Sequence, residues 1–137
     1  MNKTLVIIKP DGVERGLVGK IVSRFEDRGL KIRIGKFGTI SKETAQKHYD
    51  EHKDKPFFNE LVNFITRSAS FVFVVEGPED TWSIVRKMMG TTNPKDADCG
   101  TIRGDFATEM TENIVHGSDS AESATREISL FFPDFVL

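Results

Sequence analysis

The sequence predicts an α+β sandwich on a βαββαβ plan, with helices covering one four-stranded antiparallel sheet. Three observations carry this. Four apolar segments of strand character are separated by stretches with helical periodicity. Glycine- and proline-bearing breaks punctuate them. Two adjacent helices fall between the second and third strands, which disfavours a regular parallel, doubly wound sheet. Strand order is not legible at this level.

Leu5 to Ile8 is a buried-type apolar run, and Lys9-Pro10-Asp11-Gly12 ends it as a turn. Leu17, Val18, Ile21, Val22 and Phe25 then recur at helical spacing, with Gly29 suited to the helix C-terminus. Leu30, Ile32 and Ile34 alternate with Lys31 and Arg33, which predicts a half-buried strand. Ser41 can cap a short helix reaching His48 or Tyr49. After a polar break at Lys53 to Pro56, Phe58, Leu61, Val62 and Ile65 restore the helical period. Ser70 to Val75 is a core strand by composition, and Gly77-Pro78 ends it. Asp80 or Thr81 can start a helix bearing Trp82, Val85 and Met89. Thr91 to Gly100 reads as a long polar loop, a type that is often functional. Ile114 and Val115 suggest a short last strand, and Ser120 can cap a final helix through Ile128.

At 137 residues the chain suits one domain, residues 1–137, with a proper core. A net charge of -2 gives no electrostatic footprint for nucleic acid or an anionic membrane. The single cysteine, Cys99, excludes an internal disulfide and fits a reducing compartment, where it reads as an inert loop residue. No apolar run approaches the ~20 residues of a membrane span, and the N-terminus has no signal-peptide pattern. A cytoplasmic protein is expected.

The most informative segment is Asn113-Ile114-Val115-His116-Gly117-Ser118-Asp119-Ser120. It sets a histidine at the end of an apolar run, where the ring can reach solvent while its backbone is anchored. Neutral imidazole is plentiful at pH 7, so His116 is a candidate nucleophile or acid–base group. Its structural alternative is a hydrogen-bonded strand-end histidine. Gly117 is read as leaving room for a bulky ligand. Glu127, about two turns into the last helix, can fix the tautomer of His116, and Ser118 can hold that carboxylate. Lys9, Arg86 and Arg103 near turns or helix ends suit phosphate oxygens, and Thr92 and Asn113 add neutral donors. No Walker loop or GxGxxG occurs, so a phosphate site here is not of the P-loop type. The glycines flanking Arg103 suggest backbone held close to something. Of Phe57 and Phe58, either one ring enters the core and the other faces outward, where it can stack on a base, or both rings are core. Met110 is a candidate opposing apolar surface. His48 and His52 lie in a polar stretch and read as solvated, and no cluster has zinc spacing.

Taken in order, these pieces resemble the nucleoside diphosphate kinase family. The likeness is carried by Ile7-Ile8-Lys9-Pro10-Asp11-Gly12-Val13, Arg15-Gly16-Leu17-Val18-Gly19, Lys55-Pro56-Phe57-Phe58, Thr92-Asn93-Pro94, Gly100 to Phe106, and Asn113 to Ser120, and it covers nearly the whole chain. The resemblance implies a ferredoxin-like sandwich and a phosphotransferase. That enzyme would move the γ-phosphoryl group of a nucleoside triphosphate, typically ATP, to a nucleoside diphosphate, by ping-pong through a phosphohistidine at His116. It further implies that Lys9, Arg86, Thr92 and Arg103 contact phosphates, that Lys9 and Asn113 lie near the ribose 3′-hydroxyl, and that Phe57 stacks on the base. Tyr49 would sit near His116 and Lys9, and Glu127 and Ser118 would orient His116. Mg²⁺ would be held mainly by the nucleotide phosphates, without dedicated protein ligands. Base and sugar tolerance follows from stacking and phosphate recognition. A homo-oligomer built from dimers is implied, with a hexamer preferred over a tetramer. Dedicated nucleic-acid binding is not expected. A domain that only holds nucleotide and a nucleic-acid-binding regulator are the competing readings. The chain departs from the family at Arg67-Ser68-Ala69-Ser70, where Ser-Gly-Pro is usual, and at Cys99, where proline is frequent. It also ends at Leu137, short of an arm that some relatives carry.

Overall fold

A computed structural model describes all residues, 1–137. Four strands, β1 (Lys3–Ile8), β2 (Lys31–Thr39), β3 (Ala69–Glu76) and β4 (Val115–Gly117), form one sheet in the order β2-β3-β1-β4. Every neighbouring pair is antiparallel. The helices are α1 (Pro10–Glu14), α2 (Val18–Asp27), α3 (Lys42–His48), α4 (Phe58–Ile65), α5 (Thr81–Met89), α6 (Ile102–Phe106) and α7 (Ala121–Phe131). The expected sandwich is therefore present.

β1 and β3 read as unbroken apolar runs because both faces of the sheet are covered. On one face Val6, Ile8, Phe73 and Val75 pack with Ile21 and Phe25 of α2 and with Val85 and Met89 of α5. On the other, Leu5, Ile7, Val72 and Val74 pack with Ala45 of α3, Val62 and Ile65 of α4, and Ile128 and Phe131 of α7. This division decides where His116 goes. Ile7 pairs directly with His116 in the β1–β4 ladder. Residues opposite one another share a face, so the imidazole joins the side of Ile7, beneath α3 and α7. Val115 and Gly117 turn to the opposite face.

Several boundaries differ from expectation, each for a local reason. The stop at Lys9-Pro10 is the start of α1, with Pro10 in the first turn, where a missing N–H costs nothing. α6 was not expected. Its five residues are too few to show a period, but Thr101 caps them by accepting from Gly104 N. β2 runs on to Thr39, and its alternation fails at Arg33. A bulge there lets Ile32 pair with Val75 and Ile34 with the adjacent Val74. Most of β2 is exposed rather than half-buried, including Ile34 and Phe37. The caps at Ser41 and Ser120 form as expected, accepting from Thr44 N and Ser123 N.

Candidate active site

The site is built outward from β4. His116 lines a cavity of about 240 Å³ together with His48, Tyr49, Arg86, Thr92 and Glu127. The inner face of α7 carries Ala124, Glu127, Ile128 and Phe131 into the protein, which buries the Glu127 carboxylate to 4% exposure. Its Oε1 accepts from Ser118 Oγ at 2.7 Å and lies 2.9 Å from His116 Nε2. Burial alone would raise the Glu127 pKa. The neighbouring His116 charge and hydrogen bond, with His48 and Ser118, reverse this and hold it at about 2. An ionised carboxylate can only accept hydrogen bonds, so Nε2 carries the ring proton. The lone pair of a neutral His116 ring is then on Nδ1.

Arg86 extends from α5 and donates to Gly117 O at 3.1 Å. Tyr49 is largely buried beside Glu127, and burial pushes its hydroxyl up to about 12, so it remains a neutral donor at pH 7. A second group lies behind the cavity. Lys9 Nζ donates to Asn113 Oδ1 at 2.9 Å, and Asn113 Nδ2 donates to Thr92 O at 3.1 Å. Arg103 is 4% exposed and donates to the carbonyls of Asn113, Gly90 and Val115. Three of the five guanidinium N–H groups are thus committed to backbone, leaving two for another acceptor. Burial, followed by the charge of Arg103, lowers Lys9 to about 8, while burial and Arg86 lower Arg103 to about 10. Buried cations crowded together are costly unless an anion joins them.

The turn into β4 is strained. Ile114 has φ of 76°, a left-handed conformation that is expensive for a β-branched residue. Asp11 Oδ2 accepts from Ile114 N at 3.0 Å, and Lys9 N donates to Ile114 O at 2.8 Å. The β1–α1 corner therefore clamps the residue between Asn113 and Val115.

Over residues 2–136 the sequence matches the family model described as Nucleoside diphosphate kinase. The chain belongs to the nucleoside diphosphate kinase family. The nucleoside diphosphate kinase of Pyrococcus abyssi is 60% identical over 136 residues, covering 97% of this chain and 85% of that protein. That of Halalkalibacterium halodurans is 55% identical over 132 residues, covering 96% and 89%. Among solved structures, a halophilic nucleoside diphosphate kinase from Halobacterium salinarum in complex with CDP superposes with a TM-score of 0.93 at 50% identity, covering 98% of this chain and 90% of that one. The apo enzyme from Encephalitozoon cuniculi gives 0.95 at 39% identity, covering 100% and 92%.

Of the residues singled out in the sequence, the cavity gathers Tyr49, Arg86, Thr92, His116 and Glu127. Ser118, Lys9, Asn113 and Arg103 stand behind it in hydrogen-bond contact with its frame. Phe57 is 43% exposed, at the N-cap of α4, and its ring lies 5.5 Å from that of His52, which lines the cavity. Phe58 packs inward, so of the two open readings the structure has one ring in the core and the other outward. Met110 is exposed.

Three sequence readings need correction. His48 is not solvated: it is 4% exposed, and its ring meets that of His116 edge to face at 4.6 Å. Its position three residues after buried Ala45, on one face of α3, was the available signal. His52 is half-buried on the cavity wall. Gly117 does not make room for a ligand. A Cβ there would lie 2.9 Å from Met89 Sδ, so the glycine admits a core side chain from α5. The reading of close backbone around Arg103 does hold, since a Cβ on Gly104 would lie 2.0 Å from Asp98 O. Asp11 was not singled out. A carboxylate directly after Lys-Pro in a first helical turn was its only trace.

Proposed function

We propose that this chain, as one domain over residues 1–137, is a nucleoside diphosphate kinase working by ping-pong through a phosphohistidine at His116. The observation that carries this reading is the pairing of His116 Nε2 with buried Glu127, which leaves Nδ1 as the free nitrogen of a ring on a cavity wall. In the first half-reaction the Nδ1 lone pair attacks the γ-phosphorus of the donor. The bond to the β,γ-bridging oxygen breaks, and its electron pair leaves with the diphosphate. A second diphosphate then takes the phosphoryl group by the reverse step. Glu127 and Ser118 orient the ring, and Glu127 offsets the charge that develops on it. Arg86, Thr92, Lys9 and Arg103 receive phosphate oxygens. The depressed pKa values of Lys9 and Arg103 support this, because Asp11 offsets only part of the burial and repulsion at Lys9, and a bound phosphate would add negative charge there. Lys9 and Asn113 serve the ribose 3′-hydroxyl, Tyr49 donates beside the nucleophile, and Phe57 stacks on the base. Such a site tolerates many bases and both sugars, with ATP the typical donor.

Mg²⁺ fits as a nucleotide-borne ion. The buried donors next to His116 are the imidazole of His48 and one committed carboxylate, which suit Mg²⁺ poorly, while the exposed carboxylate of Asp119 on the cavity rim suits its water shell. When bound, the ion neutralises phosphate charge. No helix is long and apolar enough to cross a membrane, and a cytoplasmic location accords with the single exposed thiol of Cys99. We place the assembly as a homo-oligomer of dimers, a hexamer in preference to a tetramer. The long β2 edge with exposed Ile34 and Phe37 is the surface suited to a second copy.

Intact mass after brief incubation with ATP and Mg²⁺ tests the reading. One acid-labile phosphoryl group is expected on the protein, lost on adding GDP with formation of GTP, and absent in His116→Ala. A folded protein that gains no phosphoryl group and makes no GTP would point instead to a nucleotide-holding domain.

A further inference from the structure

Next to His116 lies a buried group that phosphoryl transfer does not use. His48 is 4% exposed, and neither ring nitrogen has a hydrogen-bond partner. Buried polar atoms are nearly always paired, so an imidazole with two free nitrogens, packed edge to face on the nucleophile, requires explanation. One donor atom each from His48, His116 and Glu127 lies within 4.8 Å of the others. We propose that these three side chains form a binding site for a Zn²⁺-class transition-metal ion, and that occupation blocks phosphoryl transfer. Two imidazoles and one carboxylate, with a fourth position facing the cavity, are a recurrent donor set for such ions. Tetrahedral ligands about 2.0 Å from the metal lie about 3.3 Å apart, so the widest pair must close by roughly 1.5 Å. Mg²⁺ prefers an all-oxygen octahedron and would not compete.

The block follows from the valence of the ring. If the metal takes Nε2 of His116 in place of the proton shared with Glu127, the neutral ring carries its proton on Nδ1. That nitrogen then has no lone pair for phosphorus. If the metal takes Nδ1, the nucleophile is occupied directly. The block rests on the phosphohistidine reading, but the metal site does not.

Titration of the nucleotide-free protein with Co²⁺ tests the site. Four-coordinate cobalt should give strong visible bands that Zn²⁺ abolishes and excess Mg²⁺ leaves intact. His48→Phe keeps an aromatic ring in place and should weaken Zn²⁺ binding by more than about tenfold, since even outer-shell partners of a ligand are worth that much. Transfer by that variant should resist Zn²⁺ concentrations that silence the wild type. If His48→Phe does not fold, X-ray absorption of the zinc-loaded wild type decides, with two imidazoles per zinc expected. A weak six-coordinate cobalt spectrum, one imidazole per zinc, or unchanged affinity in the variant would overturn the proposal. Cobalt bands in a protein that never phosphorylates His116 would remove the kinase reading and leave the metal site standing. A working kinase without those bands would do the reverse.

Discussion

β4 and β2 close the two edges of one sheet, yet they treat their side chains in opposite ways. β4 has three residues and is covered by α3, α5 and α7, so the one polar side chain it carries is gripped by Glu127 and walled in by His48. β2 has nine residues, a bulge at Arg33, and apolar side chains facing solvent. A protein normally blunts an edge strand. Here one edge is shortened and buried, which gives the histidine a fixed tautomer, while the other keeps its length and its exposed apolar surface. On the function and assembly proposed above, the chemistry belongs to the first edge and association to the second.

The separation can be broken most severely at the short edge. His116→Ala should lower transfer by more than about 10³-fold with the fold retained, read by a coupled assay and circular dichroism. A loss below tenfold would place the nucleophile elsewhere. Glu127→Gln removes the charge but preserves the shape. The wrong tautomer and the unbalanced ring should cost about 10²-fold or more in kcat, with KM for nucleotide changed far less. Equal changes in both would mean that Glu127 only supports the fold. At the long edge, Phe37→Asp should split the assembly in light scattering while leaving the monomer folded, and intact assembly would move the contact off β2.

Three smaller effects follow. Lys9 behind β4 is lowered to about 8 by burial and by Arg103. As pH rises through that value in the free enzyme it loses its charge, so kcat/KM should fall on the alkaline side. A flat profile to pH 9.5 would show that Lys9 is not needed as a cation. His48 is held down at about 3 by burial and by His116. The unfolded chain takes up this proton near pH 6.5 and the native state does not, so stability should fall as pH drops from 6.5 towards 3. Denaturant midpoints for His48→Phe should lose that dependence. Last, Arg67 bridges Glu14 and Glu112 between α1 and the loop before Asn113. The pairs are substantially solvent-exposed, so Arg67→Ala should leave the same midpoints almost unchanged, and a large shift would show that the pairs hold α1 to that loop.

The contrast also explains what the sequence could and could not reveal. β1, α2, α4, β3 and α5 were legible because their burial follows a simple period or an unbroken apolar run. β2 was misjudged because one extra residue at Arg33 reverses the side-chain alternation, and nothing in the letters announces a bulge. α1 and α6 are each five residues long, and helices that short show only a first-turn proline in α1 and a capping threonine in α6. At the site, His116, Glu127 and Ser118 were legible from chemistry and spacing. His48 was legible only from its place one turn after Ala45 on the same face of α3, because its polar neighbours in sequence are not its neighbours in space. Gly117 was read towards a ligand because strand alternation around His116 could be placed only once β4 was paired with β1.

Phosphoryl transfer through His116 depends on which nitrogen of its ring is free. NMR of the phosphorylated, ¹⁵N-histidine-labelled protein, through phosphorus–nitrogen coupling, reports the atom that carries the phosphoryl group. Attachment at Nδ1, with Nε2 still protonated and hydrogen-bonded, is the predicted result. Attachment at Nε2 would mean that the Glu127 contact breaks during catalysis, and would contradict the account.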